Sequence, residues 1–109
     1  MADVPEIDVA GLAAARAAGA PLIDVREPDE YAEAHAPGAV LIPLGQVPER
    51  VAEVPTEGPV YVICRSGGRS ARAVEHLRQH GIDAVNVAGG TLAWIEAGHP
   101  VDTGGGAGA

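Results

Sequence analysis

One stretch, Val60 to Leu77, restricts the possible folds more than any other part of the chain. It opens with the apolar run Val60-Tyr61-Val62-Ile63 and ends that run on Cys64, the single cysteine among 109 residues. It then turns through Arg65-Ser66-Gly67-Gly68-Arg69-Ser70 into a helix-periodic segment. A strand feeding a glycine turn and a helix start points several backbone N–H groups at one place, with the positive end of the helix dipole behind them. Gly67 and Gly68 permit the concave backbone that this requires. Arg65 and Arg69 add full positive charge. A thiol held there is expected to ionise below its ordinary pKa of about 8.5, in the range of roughly 3.5–7.5 found beside helix starts and cations. The thiolate is the nucleophilic form, so Cys64 is the candidate catalytic residue. A cysteine that merely packs as a small hydrophobe gives no reason for the two glycines and two arginines that follow it.

The rest of the chain supplies more strand and helix signals in alternation. Glu6-Ile7 is a short edge strand, and Asp8 is the N-cap of a helix over Val9 to Ala18, closed by Gly19 and Pro21. Leu22-Ile23-Asp24-Val25 is a buried strand, Pro28 starts a helix through Ala34, and Val40-Leu41-Ile42 is another strand. Pro48 begins a short helix that stops near Pro55. After the cysteine loop, Ala71, Val74 and Leu77 recur at helical spacing and define a buried face, and Gly81 ends that helix. Ala84 to Val87 is the last strand, and Gly89-Gly90 opens a helix in which Trp94, beside Leu92 and Ile95, supplies core in a domain without phenylalanine. Such alternation predicts an α/β fold with a parallel sheet flanked by helices. Residues 1–102 are expected to form one domain, and the glycine-rich residues 103–109 a flexible tail.

Charge narrows the partners. The net charge is −8 and lysine is absent, which argues against nucleic acid. Yet Arg65, Arg69 and Arg72 cluster on the loop and the helix start, the arrangement expected for a small anionic ligand. No apolar run approaches the roughly 20 residues that span a bilayer, and Met1 to Glu6 lacks the pattern of a secretory signal. A lone thiol suits a reducing compartment, so a cytoplasmic monomer is expected. Arg26 follows the second strand at its carboxyl end, where ligand sites gather in open α/β sheets. It either faces the same anion as Cys64 or forms an ion pair with Asp24, Glu27 or Asp29. His76 and His80 have i,i+4 spacing, but Arg78 lies beside them and no metal-assisting glutamate falls between them, so no metal or other cofactor is expected. His35 is expected to be structural, and Glu27, Asp29, Glu30 and Glu33 a solvated helix face.

Four stretches occur in a telling order: Leu22-Ile23-Asp24-Val25-Arg26, His35-Ala36-Pro37-Gly38-Ala39, Cys64 to Ser70, and Gly89-Gly90-Thr91-Leu92-Ala93-Trp94. Together they resemble rhodanese-like sulfurtransferase domains from about Pro5 to Val101. The resemblance implies a three-layer fold with five main strands, and a loop in which Arg65, Ser66, Gly67, Gly68, Arg69 and Ser70 bind the substrate around Cys64. It also implies that Arg26 contributes to the anion site, as in some members. The turn usually reads Gly-His-Ile-Pro-Gly-Ala, and here Ala34 and Ala36 replace the first glycine and the isoleucine.

The activity so implied moves a sulfane sulfur from a small anionic donor such as thiosulfate, or from a protein persulfide, to a thiol or cyanide-like acceptor through a Cys64 persulfide. Thiosulfate enzymes of the family tend to carry a basic residue at the third loop position, where this chain has Ser66. One rival is a cysteine phosphatase, but its loop is Cys-x₅-Arg, whereas Arg69 makes Cys-x₄-Arg. Another is a persulfide- or redox-sensing binding module.

Overall fold

A computed structural model describes residues 4–105 of the chain. The apolar runs become β1 (Glu6–Ile7), β2 (Leu22–Asp24), β3 (Val40–Leu41), β4 (Val60–Ile63) and β5 (Ala84–Val87). They form one parallel sheet in the order β1-β5-β4-β2-β3. Helices α1 (Val9–Ala17), α2 (Pro28–Glu33), α3 (Gly68–Gln79) and α4 (Gly90–Glu96) follow β1, β2, β4 and β5. Two 3₁₀ segments, Leu44–Gln46 and Pro48–Glu53, carry the chain from β3 towards β4.

Local chemistry sets the element ends. The Asp8 carboxylate accepts the Gly11 N–H at 2.8 Å and caps α1. Pro28 occupies the first turn of α2, and the Glu30 side chain reaches back to accept the Glu27 N–H at 3.0 Å. Gly19 and Gly81, just past α1 and α3, have φ of +92° and +79°, a region that favours glycine.

Two clusters of buried side chains lie on opposite faces of the sheet, giving three layers. One joins Ile23, Val25, Val60, Val62, Cys64 and Ala84 to Ala73, Val74 and Leu77 of α3. The other joins Leu22, Ile63 and Val87 to Leu12 of α1, Tyr31 of α2 and Trp94 of α4. Successive side chains of a strand alternate between faces. Val60, Val62 and Cys64 therefore point towards α3, and Tyr61 and Ile63 point away. Parity already decides which helix the cysteine meets.

Two expectations about buried faces need correction. On α3 the buried residues are Ser70, Ala73, Val74 and Leu77, with Ala71 only half-buried. On α4, Trp94 is buried as expected and its indole N–H donates to Pro100 O at 2.7 Å, but Leu92 and Ile95 are 48% and 46% exposed. The short helix turns Thr91 and Trp94 inward, which leaves Leu92 and Ile95 outside. In the glycine-rich tail, Thr103 to Gly105 are exposed and the Gly104 N–H donates to Ala32 O at 2.7 Å. Residues 106–109 lie outside the described residues. Among those described, no helix is long and apolar enough to cross a membrane.

Candidate active site

Cys64 sits at the carboxyl end of β4, the central strand, and is 1% exposed. The chain leaves the strand, turns at Gly67 with φ of +115°, and enters α3 at Gly68. Only glycine adopts that φ readily. The turn brings the Gly67 N–H to 3.1 Å from Cys64 Sγ, and the first turn of α3 brings Ser70 Oγ to 3.3 Å. Burial pushes the thiol pKa up. The Ser70 hydroxyl, followed by the N–H groups of Ser70, Gly67 and Ser66, outweighs burial and holds the thiol below its ordinary value. The sulfur therefore has the surroundings of an activated nucleophile.

The start of α4 holds this loop from behind. Thr91 donates to Cys64 O through its N–H at 2.9 Å and its hydroxyl at 3.0 Å, and the Leu92 N–H donates to Arg65 O at 3.1 Å. Unsatisfied donors of one helix start thus occupy the loop's carbonyls and leave its N–H groups free to face the sulfur. The approach is close: a Cβ on Gly90 would lie 2.5 Å from Arg65 O and 2.6 Å from Cys64 O. The Gly89-Gly90 pair therefore belongs to the site through packing. Its position in the sequence marked a helix start but gave no hint of that contact.

The arginines divide into free and committed. Arg65 is exposed on the loop and lines a cavity of about 180 Å³ with Arg26, Glu30, Thr91, Leu92 and Ile95. Arg69 pairs with Glu30 through two bonds of 2.7 and 2.8 Å, so Glu30 is no free member of a solvated face. That pair bridges α3 and α2 across the sheet rim, and Arg69 holds the Glu30 carboxyl down to about 2. Arg26 is 5% exposed and binds Asp24 by Nε at 3.0 Å and Nη2 at 2.8 Å, with Nη2 also donating to Ala34 O at 2.8 Å. Strand parity is the reason. Ile23 and Val25 share the α3 face with Cys64, whereas Leu22 packs on the other face, where Asp24 stands in register with Ile63.

Two polar residues at the site had no counterpart in the sequence reading. Asn86 of β5 is 1% exposed and reaches both Ser70 and Gly67, and Glu6 of β1 accepts from Asn86 Nδ2 at 2.9 Å. An asparagine inside the apolar run Ala84-Val85-Asn86-Val87 was the available signal, because a buried amide needs partners. Two histidines have local roles. His35 stacks on Tyr31 with centroids 3.7 Å apart, and His80 Nδ1 lies 3.0 Å from His76 O.

The Rhodanese-like domain family matches residues 8–97, and the chain belongs to that family. It is 40% identical over 81 residues to a sulfurtransferase of Allochromatium vinosum, covering 73% of this chain and 76% of that protein. It is 43% identical over 74 residues to a putative sulfur carrier protein of Bacillus subtilis, covering 67% of this chain but 40% of that one. Among solved structures, a rhodanese-related protein of Thermoplasma volcanium superposes with a TM-score of 0.84 at 36% identity, covering 90% of this chain and 97% of that one.

Proposed function

We propose that the protein is a sulfurtransferase in which Cys64 carries the sulfur. The thiolate attacks the outer sulfur of a donor, the bond to the donor's remaining group breaks, and Cys64–S–S⁻ forms. With thiosulfate the leaving group is sulfite, which keeps the two negative charges that the donor brought. An acceptor thiolate or a cyanide-like nucleophile then takes the terminal sulfur and regenerates the thiolate. Covalent transfer of this kind predicts ping-pong kinetics.

The observation that carries this reading is the set of donors around Sγ: the Gly67 N–H at 3.1 Å and the Ser70 hydroxyl at 3.3 Å, at the start of a 12-residue helix. Donors aimed at one sulfur also suit the anion at the end of a persulfide. The N–H groups from Ser66 to Ser70 bind that terminal sulfur in this reading, and Gly67 and Gly68 permit their convergence. Arg65, exposed and without an ion-pair partner among the described residues, is the cation that meets an anionic donor. Arg69 contributes more weakly, since Glu30 already occupies it. The geometry of Arg26 supports a structural ion pair rather than a substrate contact.

A protein persulfide is a second admissible donor, and a sulfur-carrier role is favoured by the name of the Bacillus subtilis relative. Commitment of Arg69 to Glu30 weighs against the phosphatase alternative, which needs a free guanidinium over the nucleophile. A reducing, cytoplasmic setting fits the unpaired thiol. The test is single-turnover sulfur transfer from thiosulfate and from a protein persulfide, with Cys64 persulfide detected by intact mass. Multiple turnovers to cyanide identify an enzyme, and a single loading without turnover identifies a carrier. Hydrolysis of an aryl phosphate, with no persulfide from any donor, overturns both.

A further inference from the structure

The hydroxyl of Ser70 has one hydrogen and two claimants. Its oxygen lies 3.3 Å from Cys64 Sγ and within hydrogen-bond distance of Asn86 Oδ1, and Ser70 and Asn86 are both essentially buried. The orientation of the Asn86 amide follows from its other neighbours. Its nitrogen lies 2.9 Å from Glu6 Oε2 and 3.2 Å from Gly67 O. A carboxylate and a carbonyl only accept, so Nδ2 must face them, and Oδ1 must face Ser70. That carbonyl oxygen has no hydrogen to give. The Ser70 hydrogen therefore points at Asn86 when the cysteine is a neutral thiol, and the S–H can donate to Ser70 Oγ. When the thiol ionises, the sulfur becomes acceptor-only and needs the same hydrogen.

We propose that Asn86 is a positioning residue that competes with Cys64 for the Ser70 hydroxyl hydrogen, under the control of Glu6. Asn86 and Ser70 can meet because Ala84 and Asn86 share the face of β5 that packs on α3. The competition restrains ionisation: turning the hydroxyl to the thiolate leaves Asn86 Oδ1 buried without a donor, a costly state. A sulfur that has become the inner atom of a persulfide carries little charge, and the hydroxyl then returns to Asn86. The same pair of positions thus favours the loaded cysteine over the bare thiolate. The charged groups on the surrounding elements include Arg65 on the loop, Arg69 on α3, Asp24 at the end of β2, Arg26 just beyond it, Glu30 on α2 and Glu6 on β1. Of these, only Glu6 reaches the sulfur through the Asn86–Ser70 chain.

This deepens the reading of Cys64 as nucleophile and rests on it. Its test is the pH titration of thiolate ultraviolet absorbance, which a chain with one cysteine makes unambiguous and which requires no sulfur donor. Asn86→Leu removes the competing acceptor and is expected to lower the Cys64 midpoint by about half to one pH unit, the effect of one net hydrogen bond. Ser70→Ala is expected to raise it. In the Ser70→Ala background Asn86→Leu is expected to change nothing, whereas a merely loosened loop would shift both backgrounds alike. A midpoint that Asn86→Leu leaves unchanged or raises overturns the proposal, and so does an equal shift with and without Ser70. If Asn86→Leu does not fold, Glu6→Ala decides the matter at an exposed position. Without the carboxylate only Gly67 O still holds the amide nitrogen, so the amide turns that nitrogen to Ser70 for part of the time and partly frees the hydroxyl for the sulfur. Loss of negative charge alone lowers the midpoint equally in both backgrounds, so the expected result is a larger shift when Ser70 is present. Equal shifts overturn the proposal. The predicted titrations together with no persulfide from any donor would refute sulfurtransfer and leave this inference standing.

Discussion

The ends of β4 and β2 are adjacent on the same rim of the sheet, and each presents a charged or ionisable side chain, yet they serve opposite purposes. After β4 the chain turns through glycine, and N–H groups and a hydroxyl converge on Cys64 while α4 occupies the loop's carbonyls. After β2 the chain satisfies itself: Asp24 accepts from the side chain and the backbone N–H of Arg26, and α2 supplies Ala34 O as a further acceptor. One strand end accumulates donors without an acceptor, and the other is neutralised within three residues. A strand's carboxyl end is therefore only a place where a site can be built. Whether it becomes one depends on parity and on what the following residues leave unsatisfied.

The sharpest way to break this comparison is Cys64→Ser. The hydroxyl fits the same loop but its pKa is far too high to ionise there, so persulfide formation is expected to fall to background while the fold is retained. Intact mass after incubation with thiosulfate or a protein persulfide checks this. Sulfur transfer that survives the change would remove the β4 end from the chemistry.

Arg26→Ala probes the other strand end. It strands the Asp24 carboxylate, which is fully buried, and breaking a buried pair in this way costs about 3–5 kcal/mol. A large fall in unfolding midpoint is expected, with the apparent KM for thiosulfate unchanged in whatever folded protein remains. A raised KM with little loss of stability would mean that Arg26 serves the anion after all, and that the two strand ends form one site.

A smaller effect is expected at Arg65. Its guanidinium is exposed, so replacing it with alanine should lower kcat/KM for anionic thiosulfate by about tenfold, the value of one charge-assisted hydrogen bond at its lower end. Raising the salt concentration should shrink the difference between wild type and variant, since exposed charges are screened. Arg69→Ala should do less, because Glu30 already satisfies that guanidinium. Equal losses in the two variants would contradict the division between free and committed arginines.

What could be read from the sequence depended on whether the signal was local. The cysteine, its two glycines and the helix behind them lie within a few residues of each other, so the loop and its fold context were legible. The four-residue run Leu22-Ile23-Asp24-Val25 is apolar on both faces except at Asp24, so it carried little parity information, and two readings of Arg26 stayed open until the structure placed it against Asp24. Glu30 and Arg69 are 39 residues apart, and Glu6 and Asn86 are 80 apart. No periodicity within either helix or strand could announce pairs that only the folded sheet brings together. The inward side of α4 was likewise obscure, because a seven-residue helix is too short for its apolar face to be defined by period alone.

The smallest expected effect concerns the Glu30–Arg69 pair, which ties the committed side of the rim to the cysteine loop. Glu30 titrates at about 2 in the folded protein against 4.5 ordinarily, chiefly because its carboxylate accepts from Arg69. Since the folded value is the lower one, the pair's contribution to stability is fully present above about pH 4.5 and is lost as pH falls towards 2. Both side chains are about one-third exposed, so screening reduces that contribution to about 1 kcal/mol, far below the full linkage value. Glu30→Gln should therefore destabilise the protein by about that amount at neutral pH and become indistinguishable from wild type near pH 2. Denaturant unfolding at several pH values would show the two curves converging on the acid side. Parallel curves would mean that the ion pair contributes nothing to the folded state, and Arg69 would then have to be counted with Arg65 as a charge free to meet the donor.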